Sequence, residues 1–270
     1  MIFLEKKGRF GNFLFQYFLA RVLQKQYNKK IIIFSKNENN FYFNSKENID
    51  KLIKDKLIFP KFNKPLFFLK KFCLEINDDN YKEISKNKNY LKQRNFYING
   101  FFQDLNFLNE NIEILNDIIE KKKILEKKLF LKSDLTIHIR HLEKDNPIDD
   151  SILYQDQPNI DFYKEIIDKT NPTKIKVICS NNKNDNFLQL KEIYKERVYF
   201  DGVDDIFDFF NIMYSRNIIL SVSTYALWAS LLSNAEKVFV PNIGLLKKIL
   251  NNKNLKINSN FVYININKQV

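Results

Sequence analysis

Short apolar segments alternate with amphipathic ones throughout the second half of the chain. Segments such as IKVICS, RVYF and KVFVP have the length and composition of buried strands. Between them, segments such as IDFYKEIIDK and DIFDFFNIMYS repeat their apolar residues at helical spacing. This alternation is typical of a parallel sheet with helices on both faces. It predicts a doubly wound domain over residues 133–270.

The start of the chain predicts a smaller unit of the same kind. MIFLE has the composition of a strand, GRFGN that of a turn, residues 13–27 the spacing of a helix, and KKIIIF that of a buried strand. Residues 36–95 carry no clear pattern, YINGFFQ predicts a strand and a turn, and residues 104–130 predict mostly helix. We therefore predict an α/β fold class with two Rossmann-like halves, 1–132 and 133–270, facing a cleft.

Net charge, cysteine content and apolar runs limit the partners and the cell compartment that the chain can have. A net charge of +12 favours an anionic partner, such as nucleic acid, a phospholipid surface or a phosphorylated small molecule, although a lysine-rich solvated surface explains it equally well. Cys73 and Cys179 lie in apolar segments, which predicts free thiols in a reducing compartment and no metal cluster. The sequence contains no run of 18 apolar residues, so it predicts no membrane-spanning helix. We expect a cytoplasmic protein that can rest on the inner face of the membrane.

Two of the five glycines, Gly8 and Gly11, flank Arg9 in the GRFGN turn. Ligands of parallel sheets bind beyond the carboxyl ends of the strands, where glycine allows close approach and a helix N-terminus offers N–H groups to an anion. The segment matches neither of the common glycine-rich nucleotide motifs. An ordinary strand-to-helix turn is the alternative explanation.

Both histidines of the chain lie in HIRH, as His138 and His141. The alternation of TIHIR places Thr136, His138 and Arg140 on one face of a strand, with the last two at its carboxyl end. Arginine suits phosphate because it stays charged and binds bidentately. A zinc site is disfavoured, because the two imidazoles would face opposite sides of the strand. A surface His–Arg pair is the alternative.

SVSTYALW predicts a strand-to-helix junction. Ser223 or Thr224 can cap the helix, and the same hydroxyl and N–H groups can hold a phosphate. Tyr225 can pack in the core or form a stacking wall, and core packing is favoured for Trp228. No serine-hydrolase signature and no metal-nucleotide acidic motif is present, which disfavours a metal-dependent phosphate site.

These segments, in this order, resemble glycosyltransferase family 11, the α-1,2-fucosyltransferases. GRFGNFLFQYFLARVL resembles the opening motif of the family. The matching residues are Gly8, Arg9, Gly11, Asn12, Phe15, Gln16, Tyr17, Ala20, Arg21 and Leu23. INGFFQDLNFL, HIRH and DFFNIMYSRNIILSVSTYALWASLL are similar to later segments of the family. The resemblance spans nearly the whole chain.

The resemblance implies a GT-B-like fold and a metal-independent, inverting transfer from a GDP-sugar, with GDP-fucose the favoured donor and no cofactor. It implies that His138 and Arg140 meet the phosphates, that the segment from Gly8 to Asn12 lies beside the donor, and that Ser223 and Thr224 help to hold the nucleotide. The implied acceptor is a glycan or lipid-linked oligosaccharide, as in the synthesis of lipopolysaccharide, capsule or another surface polysaccharide. Candidate general bases are Glu143, Asp145 and Asp104.

Some positions depart from the family pattern. His141, Leu142 and Glu143 replace an arginine, a glycine and an aspartate, and Val222 replaces an asparagine. These departures leave open another GDP-sugar or a catalytically decayed glycan-assembly partner. A basic nucleic-acid-binding protein is the alternative from a different class, since lysine and aromatic residues interleave over residues 64–72. No nucleic-acid-binding signature accompanies that segment, so we expect a nucleotide-sugar as the partner.

Overall fold

The structure is a computed structural model. It describes residues 1–34, 53, 71–87, 94–115, 117–118, 133–140, 156–180, 182–202, 204–252 and 255–266. The chain divides into two compact units, Met1–Lys128 and Leu129–Val270. Among the described residues, each unit has one sheet, and every strand pair is parallel.

The first unit has a four-stranded sheet. Its strands are β1 (Ile2–Glu5), β2 (Ile31–Phe34), β3 (Cys73–Ile76) and β4 (Asn95–Ile98). Their order is β2-β1-β4-β3, so that β1 and β4 lie at the centre. Its helices are α1 (Phe10–Tyr27), α2 (Tyr81–Lys86), α3 (Leu105–Glu110) and α4 (Ile112–Leu115). The predicted βαβ start is confirmed, whereas β3 and α2 lie in the region for which the sequence predicts no element.

Helix α1 begins three residues before its predicted start. Every residue from Phe10 to Ala20 is buried, so the first three turns are enclosed on all sides. The helix ends at Tyr27, and the capping residue Asn28 has the left-handed conformation (φ 51°) common after a last helical turn. Because Arg9 is the N-cap, the prediction of GRFGN as one turn is wrong. Gly11 and Asn12 instead lie in the first turn of the helix.

The second unit has a six-stranded sheet in the order β10-β9-β8-β5-β6-β7. The strands are β5 (Leu135–His138), β6 (Ile175–Ile178), β7 (Val198–Phe200), β8 (Asn217–Ile219), β9 (Lys237–Pro241) and β10 (Phe261–Ile264). The helices are α5 (Ile160–Thr170), α6 (Asp185–Tyr194), α7 (Asp205–Met213), α8 (Thr224–Leu231) and α9 (Gly244–Ile249), with 3₁₀ turns at Lys195–Arg197 and Lys256–Asn258. The predicted strand–helix alternation is confirmed. The order is that of dinucleotide-binding folds, 3-2-1-4-5-6, and it reverses between β5 and β8.

Strand β5 lies in the middle of this sheet, and all four of its residues are buried. Ile137 and Ile139 belong to the main apolar core of the unit. Thr136, on the other face, has its hydroxyl 2.6 Å from that of Ser133 and also hydrogen bonded to that of Ser215. The alternation along TIHIR is therefore as predicted, and it brings His138 to the polar face at the carboxyl end of the strand.

Three smaller expectations can be compared with the structure. Cys73 and Cys179 are both free thiols, as predicted. Trp228 is completely buried, which confirms the core packing favoured for it. In the described part of the chain, no helix combines the length and the apolar character needed to cross a membrane.

Candidate functional site

The reversal of strand order in the second unit brings two of the sequence motifs together. Strand β5 pairs directly with β8, with Thr136 opposite Ile218 and Ile137 opposite Ile219. The chain leaves β5 through HIR and leaves β8 through LSVSTY, so both motifs begin at the same edge of the sheet. In open parallel sheets this is where ligands bind, because the connections on either side of the reversal leave in opposite directions.

Ser221 joins the two strand ends. Its Oγ lies 2.7 Å from Nδ1 of His138, and it accepts the backbone N–H of Arg140 at 3.1 Å. The side chain of Ser221 is completely buried. The sequence analysis missed this residue and selected Ser223 and Thr224 instead. The sequence gives no signal for Ser221, because its role comes from His138, which lies 83 residues away in the chain.

His138 is a neutral imidazole at this edge. Burial, reinforced by the nearby Arg140 guanidinium, lowers the pKa of His138 to about 3. Arg140, by contrast, brings a positive charge to the end of β5, and its side chain is half-buried. His138 can donate or accept a hydrogen bond at neutral pH, but it does not attract an anion by charge.

Gln157 fixes the loop that follows β8. Its side-chain Oε1 accepts the N–H of Val222 at 3.1 Å, and its Nε2 donates to the carbonyl oxygen of the same residue at 3.2 Å. One amide thus satisfies both backbone groups of a buried residue, as a neighbouring strand would. The sequence analysis missed Gln157, because an isolated glutamine in a polar loop gives no pattern.

Ser223 and Thr224 lie at the start of α8, as the sequence predicts, and both are buried. Ser223 is the N-cap, and its Oγ accepts the N–H of Ala226 at 3.5 Å, which is a long hydrogen bond. The first turn of an α-helix has N–H groups without partners inside the helix, and these attract anions. The geometry is that of a capped helix start beside the ends of β5 and β8.

Tyr225 forms a wall beside the imidazole. The rings of Tyr225 and His138 lie 5.9 Å apart at an angle of 39°. The phenol hydroxyl donates to the carbonyl oxygen of Asp205. Burial, with the carboxylates of Asp208, Asp205 and Asp204, raises the pKa of Tyr225 well above its usual value, so this hydroxyl keeps its proton. Tyr225 therefore contacts both the site and helix α7.

The glycine turn of the first unit is explained by its own geometry. Gly8 has φ 66°, and a Cβ added there would lie 2.6 Å from the side-chain nitrogen of Asn12. Gly8 is therefore required by its backbone conformation and by Asn12, before any ligand is considered. Lys6, just before this turn, has its pKa lowered to about 8 by burial.

Amide side chains hold the start of α1 against the loop that follows β4. Gln16, which is completely buried, accepts the N–H of Lys7 at 3.1 Å and donates to the carbonyl oxygen of Gly100 at 2.9 Å. Gln103 donates to Asn12 at 2.9 Å in the same region. Asn12 thus lies in the first turn of α1 and not in the predicted turn before it, and its carbonyl oxygen binds another part of the same unit.

Asp104 is unsuited to the role of general base. Its Oδ1 caps α3 by accepting the N–H groups of Asn106 and Phe107. Its Oδ2 accepts the hydroxyl of Tyr81 at 2.7 Å and lies 2.5 Å from the Nζ of Lys82. Burial acts to raise the pKa of Asp104, but the hydrogen bonds from Lys82 and Tyr81 outweigh it, and the net shift is downward. This carboxylate is a structural cap.

The other candidate bases, Glu143 and Asp145, lie outside the described residues, as do His141 and most of the lysine–aromatic segment 64–72. Within the described residues, no group of three or more His, Cys, Asp or Glu side chains is arranged to hold a metal ion. His138, Arg140, Ser223, Thr224 and Tyr225 lie in the second unit. Gly8, Arg9, Gly11 and Asn12 lie in the first.

Comparison with known proteins identifies similar structures but no similar sequence. No protein-family model and no curated protein matches the sequence. Among solved structures, the fucosyltransferase NodZ from Bradyrhizobium matches with a TM-score of 0.52 at 14% identity, over 88% of this chain and 94% of NodZ. NodZ α-1,6-fucosyltransferase co-crystallized with GDP also gives a TM-score of 0.52, at 13% identity over 88% and 93% of the two chains. A mutant of Arabidopsis thaliana FUT1 in complex with GDP matches with a TM-score of 0.51 at 10% identity, over 88% of this chain and 69% of FUT1.

The chain has the GT-B glycosyltransferase fold. This confirms the predicted α/β, GT-B-like fold class. At these identities the likeness concerns the fold alone. Membership of glycosyltransferase family 11 therefore stays a prediction from the sequence motifs, and so do the roles of the individual site residues.

Proposed function

We propose that this chain is an inverting, metal-independent glycosyltransferase that moves fucose from GDP-fucose to a hydroxyl group of a glycan acceptor. The observation that carries the proposal is the grouping of Arg140 and neutral His138 around Ser221, where the strand order of a dinucleotide-type sheet reverses. The likeness to NodZ supports GDP as the nucleotide, since NodZ has been co-crystallized with GDP and soaked with GDP-fucose.

In the proposed reaction, negative charge develops on the leaving group, GDP. The bond that breaks joins the anomeric carbon of fucose to an oxygen of the diphosphate, so negative charge collects on GDP. Arg140 can bind the phosphate oxygens bidentately, because a guanidinium group presents its N–H donors in parallel pairs. His138 adds a hydrogen bond without a second charge, because its pKa is lowered to about 3. Donors positioned in advance of the reaction contribute about 3 kcal/mol each to transition-state stabilisation.

The start of α8 is the second part of the proposed phosphate site. Ser223 accepts a long cap bond from the N–H of Ala226, so its hydroxyl and the N–H groups of the first turn can turn to an anion, with Thr224 beside them. Tyr225, beside the imidazole, then limits the space on one side of the site. No metal ion takes part in this proposal, since protein donors do the work that a cation does in metal-dependent transferases.

The acceptor side of the proposal rests on the sequence resemblance. The acceptor hydroxyl attacks the anomeric carbon from the face opposite GDP, and its proton passes to a general base, for which Glu143 is our candidate. The segment from Gly8 to Asn12 lies beside the donor in this proposal. An α-1,2 linkage follows from the resemblance alone, and NodZ is an α-1,6 enzyme. A surface glycan as acceptor, and contact with an anionic membrane, are suggested by the family and by the net charge of +12.

Thermal unfolding with four ligands tests the proposal. We expect GDP and GDP-fucose to raise the Tm, UDP and CMP to leave it unchanged, and the GDP effect to persist in a metal chelator. At a GDP concentration 100 times its Kd, the stabilisation is about 2.7 kcal/mol. A response to UDP alone would keep a transferase and discard the donor. No response to any nucleotide, with the protein folded, would contradict the proposal and favour a decayed or nucleic-acid-binding protein.

A further inference from the structure

Among the described residues, the hydroxyl of Ser221 has two hydrogen-bond partners, His138 and the backbone of Arg140, and the second fixes the direction of one bond. The backbone N–H of Arg140, 3.1 Å from Oγ, can only donate. Oγ is therefore the acceptor of that bond. The hydroxyl still carries one proton of its own, and Ser221 is completely buried, so this proton needs an acceptor inside the protein.

His138 provides the acceptor. Its Nδ1 lies 2.7 Å from Oγ. Among the described residues, Nδ1 is the one atom within hydrogen-bond distance that can accept the proton of the Ser221 hydroxyl. With a proton on Nδ1, Oγ would accept twice and the buried Ser221 proton would have no partner there, which is unfavourable. With Nδ1 unprotonated, both bonds of Ser221 are satisfied. The neutral ring then carries its proton on Nε2.

The surroundings of the ring keep Nε2 as the outward donor. His138 is 8% exposed, and the Tyr225 ring lies 5.9 Å away on one side. The described residues provide no hydrogen-bond partner for Nε2. A neutral imidazole with its proton on Nε2 is a donor at every pH above its own titration, whereas the other tautomer would present a lone pair that repels phosphate oxygens.

We propose that Ser221 is a positioning residue that fixes His138 as the Nε2–H tautomer, so that this N–H donates a hydrogen bond to an anionic group bound beyond β5 and β8. Identifying that group as the GDP diphosphate rests on the proposed function. The tautomer and its dependence on Ser221 do not, and they can be measured without any ligand.

Nitrogen NMR of ¹⁵N-histidine-labelled protein reads the tautomer directly. The chain has two histidines, so a His141→Asn variant assigns the two rings. We expect His138 to show a protonated Nε2 and an unprotonated Nδ1 in the ligand-free protein at pH 7. In Ser221→Ala we expect this pattern to be lost or mixed, and in Ser221→Thr, which keeps the hydroxyl, we expect it to return. Ser215→Ala is the matched control, because it removes a buried hydroxyl bonded to Thr136 on the same strand and does not touch His138.

GDP separates this inference from the proposed function. We expect GDP to shift the Nε2 resonance, and Ser221→Ala to weaken GDP binding on the order of tenfold, as loss of one oriented donor predicts. A proton on Nδ1 in the wild-type protein, or an unchanged tautomer in folded Ser221→Ala, would overturn the assignment of Ser221. The expected tautomer without any response to GDP would support that assignment and count against the proposed function.

Discussion

The polar side chains at the carboxyl edges of the two sheets have different partners. In the first unit, amides bind the backbone or one another: Gln16 bridges Lys7 and Gly100, and Gln103 donates to Asn12. In the second unit, the strand ends are gathered around a single buried hydroxyl, that of Ser221. The same position in a parallel sheet is thus used in one unit to hold loops together and in the other to orient an imidazole beside an arginine.

This difference separates two kinds of substitution. At the edge of the first unit, removing an amide leaves buried backbone groups unpaired, and the cost falls on the free energy of unfolding. At the edge of the second unit, removing the arginine charge leaves the sheet and its core in place, and the cost falls on ligand binding.

Arg140→Ala should have the largest effect. We expect loss of stabilisation by GDP and a fall in kcat on the order of 10²–10³-fold, because Arg140 supplies the positive charge at the ends of β5 and β8. Thermal shift and donor turnover measure these effects. Arg216→Ala is the matched control: Arg216 lies just before β8, at the opposite edge of the same sheet, and its exposed side chain pairs with Glu236 at 2.8 Å. Equal losses in both variants, or unchanged turnover in Arg140→Ala, would remove this contrast.

Acid should destabilise the second unit through His138. Its pKa is about 3 in the folded protein, below the ordinary value of 6.5, because burial disfavours the charged ring. As the pH falls, the histidine of the unfolded chain is protonated before that of the folded protein. The contribution of neutral His138 to the free energy of unfolding is therefore fully present above pH 6.5 and is lost as the pH falls toward 3, by several kcal/mol in total. We expect His138→Asn to flatten the pH dependence of unfolding in this window, and His141→Asn to leave it as it is.

In the first unit, the stability contributed by Asp104 depends on pH in a different range. Despite its burial, the hydrogen bonds from Lys82 and Tyr81 lower the pKa of this carboxylate below the ordinary 3.8. Its contribution is therefore present above pH 3.8 and is lost below it. As the pH is lowered, we expect the second unit to lose stability at a higher pH than the first. The reverse order would contradict the neutral state that we assign to buried His138.

Gln16→Leu should cost stability and leave nucleotide binding unchanged. The substitution keeps most of the side-chain volume but leaves the Lys7 N–H and the Gly100 carbonyl without their partner, which costs about 2–3 kcal/mol. Denaturant unfolding measures the loss. Gln26→Leu is the control on the same helix, since Gln26 is half-buried and bonds to Tyr27 at 3.3 Å. A weaker GDP response in folded Gln16→Leu would show that the edge of the first unit also serves the ligand.

The sequence predicts the fold further than it predicts the site. Strand and helix periodicity is a local property, and it locates strands β5 to β9 of the second unit and the βαβ start of the first, but not β10. Strand β3 escapes because CLEI is four residues long and half-buried on an edge of the sheet. Ser221 and Gln157 escape for another reason: their roles come from partners 83 and 65 residues away in the chain, which no local pattern reveals.

Gly8→Ala should have the smallest effect, about 1–2 kcal/mol of unfolding free energy, because alanine must adopt a left-handed conformation there. Part of that cost is specific to Asn12, whose side-chain nitrogen would lie 2.6 Å from the added Cβ. In an Asn12→Ala background, Gly8→Ala should therefore cost measurably less, and a double-mutant cycle of denaturant unfolding isolates the difference. Additive costs would show that the backbone conformation alone requires the glycine. A double variant that stays folded and binds GDP but no longer transfers sugar would support the place beside the donor that the proposed function gives to this turn.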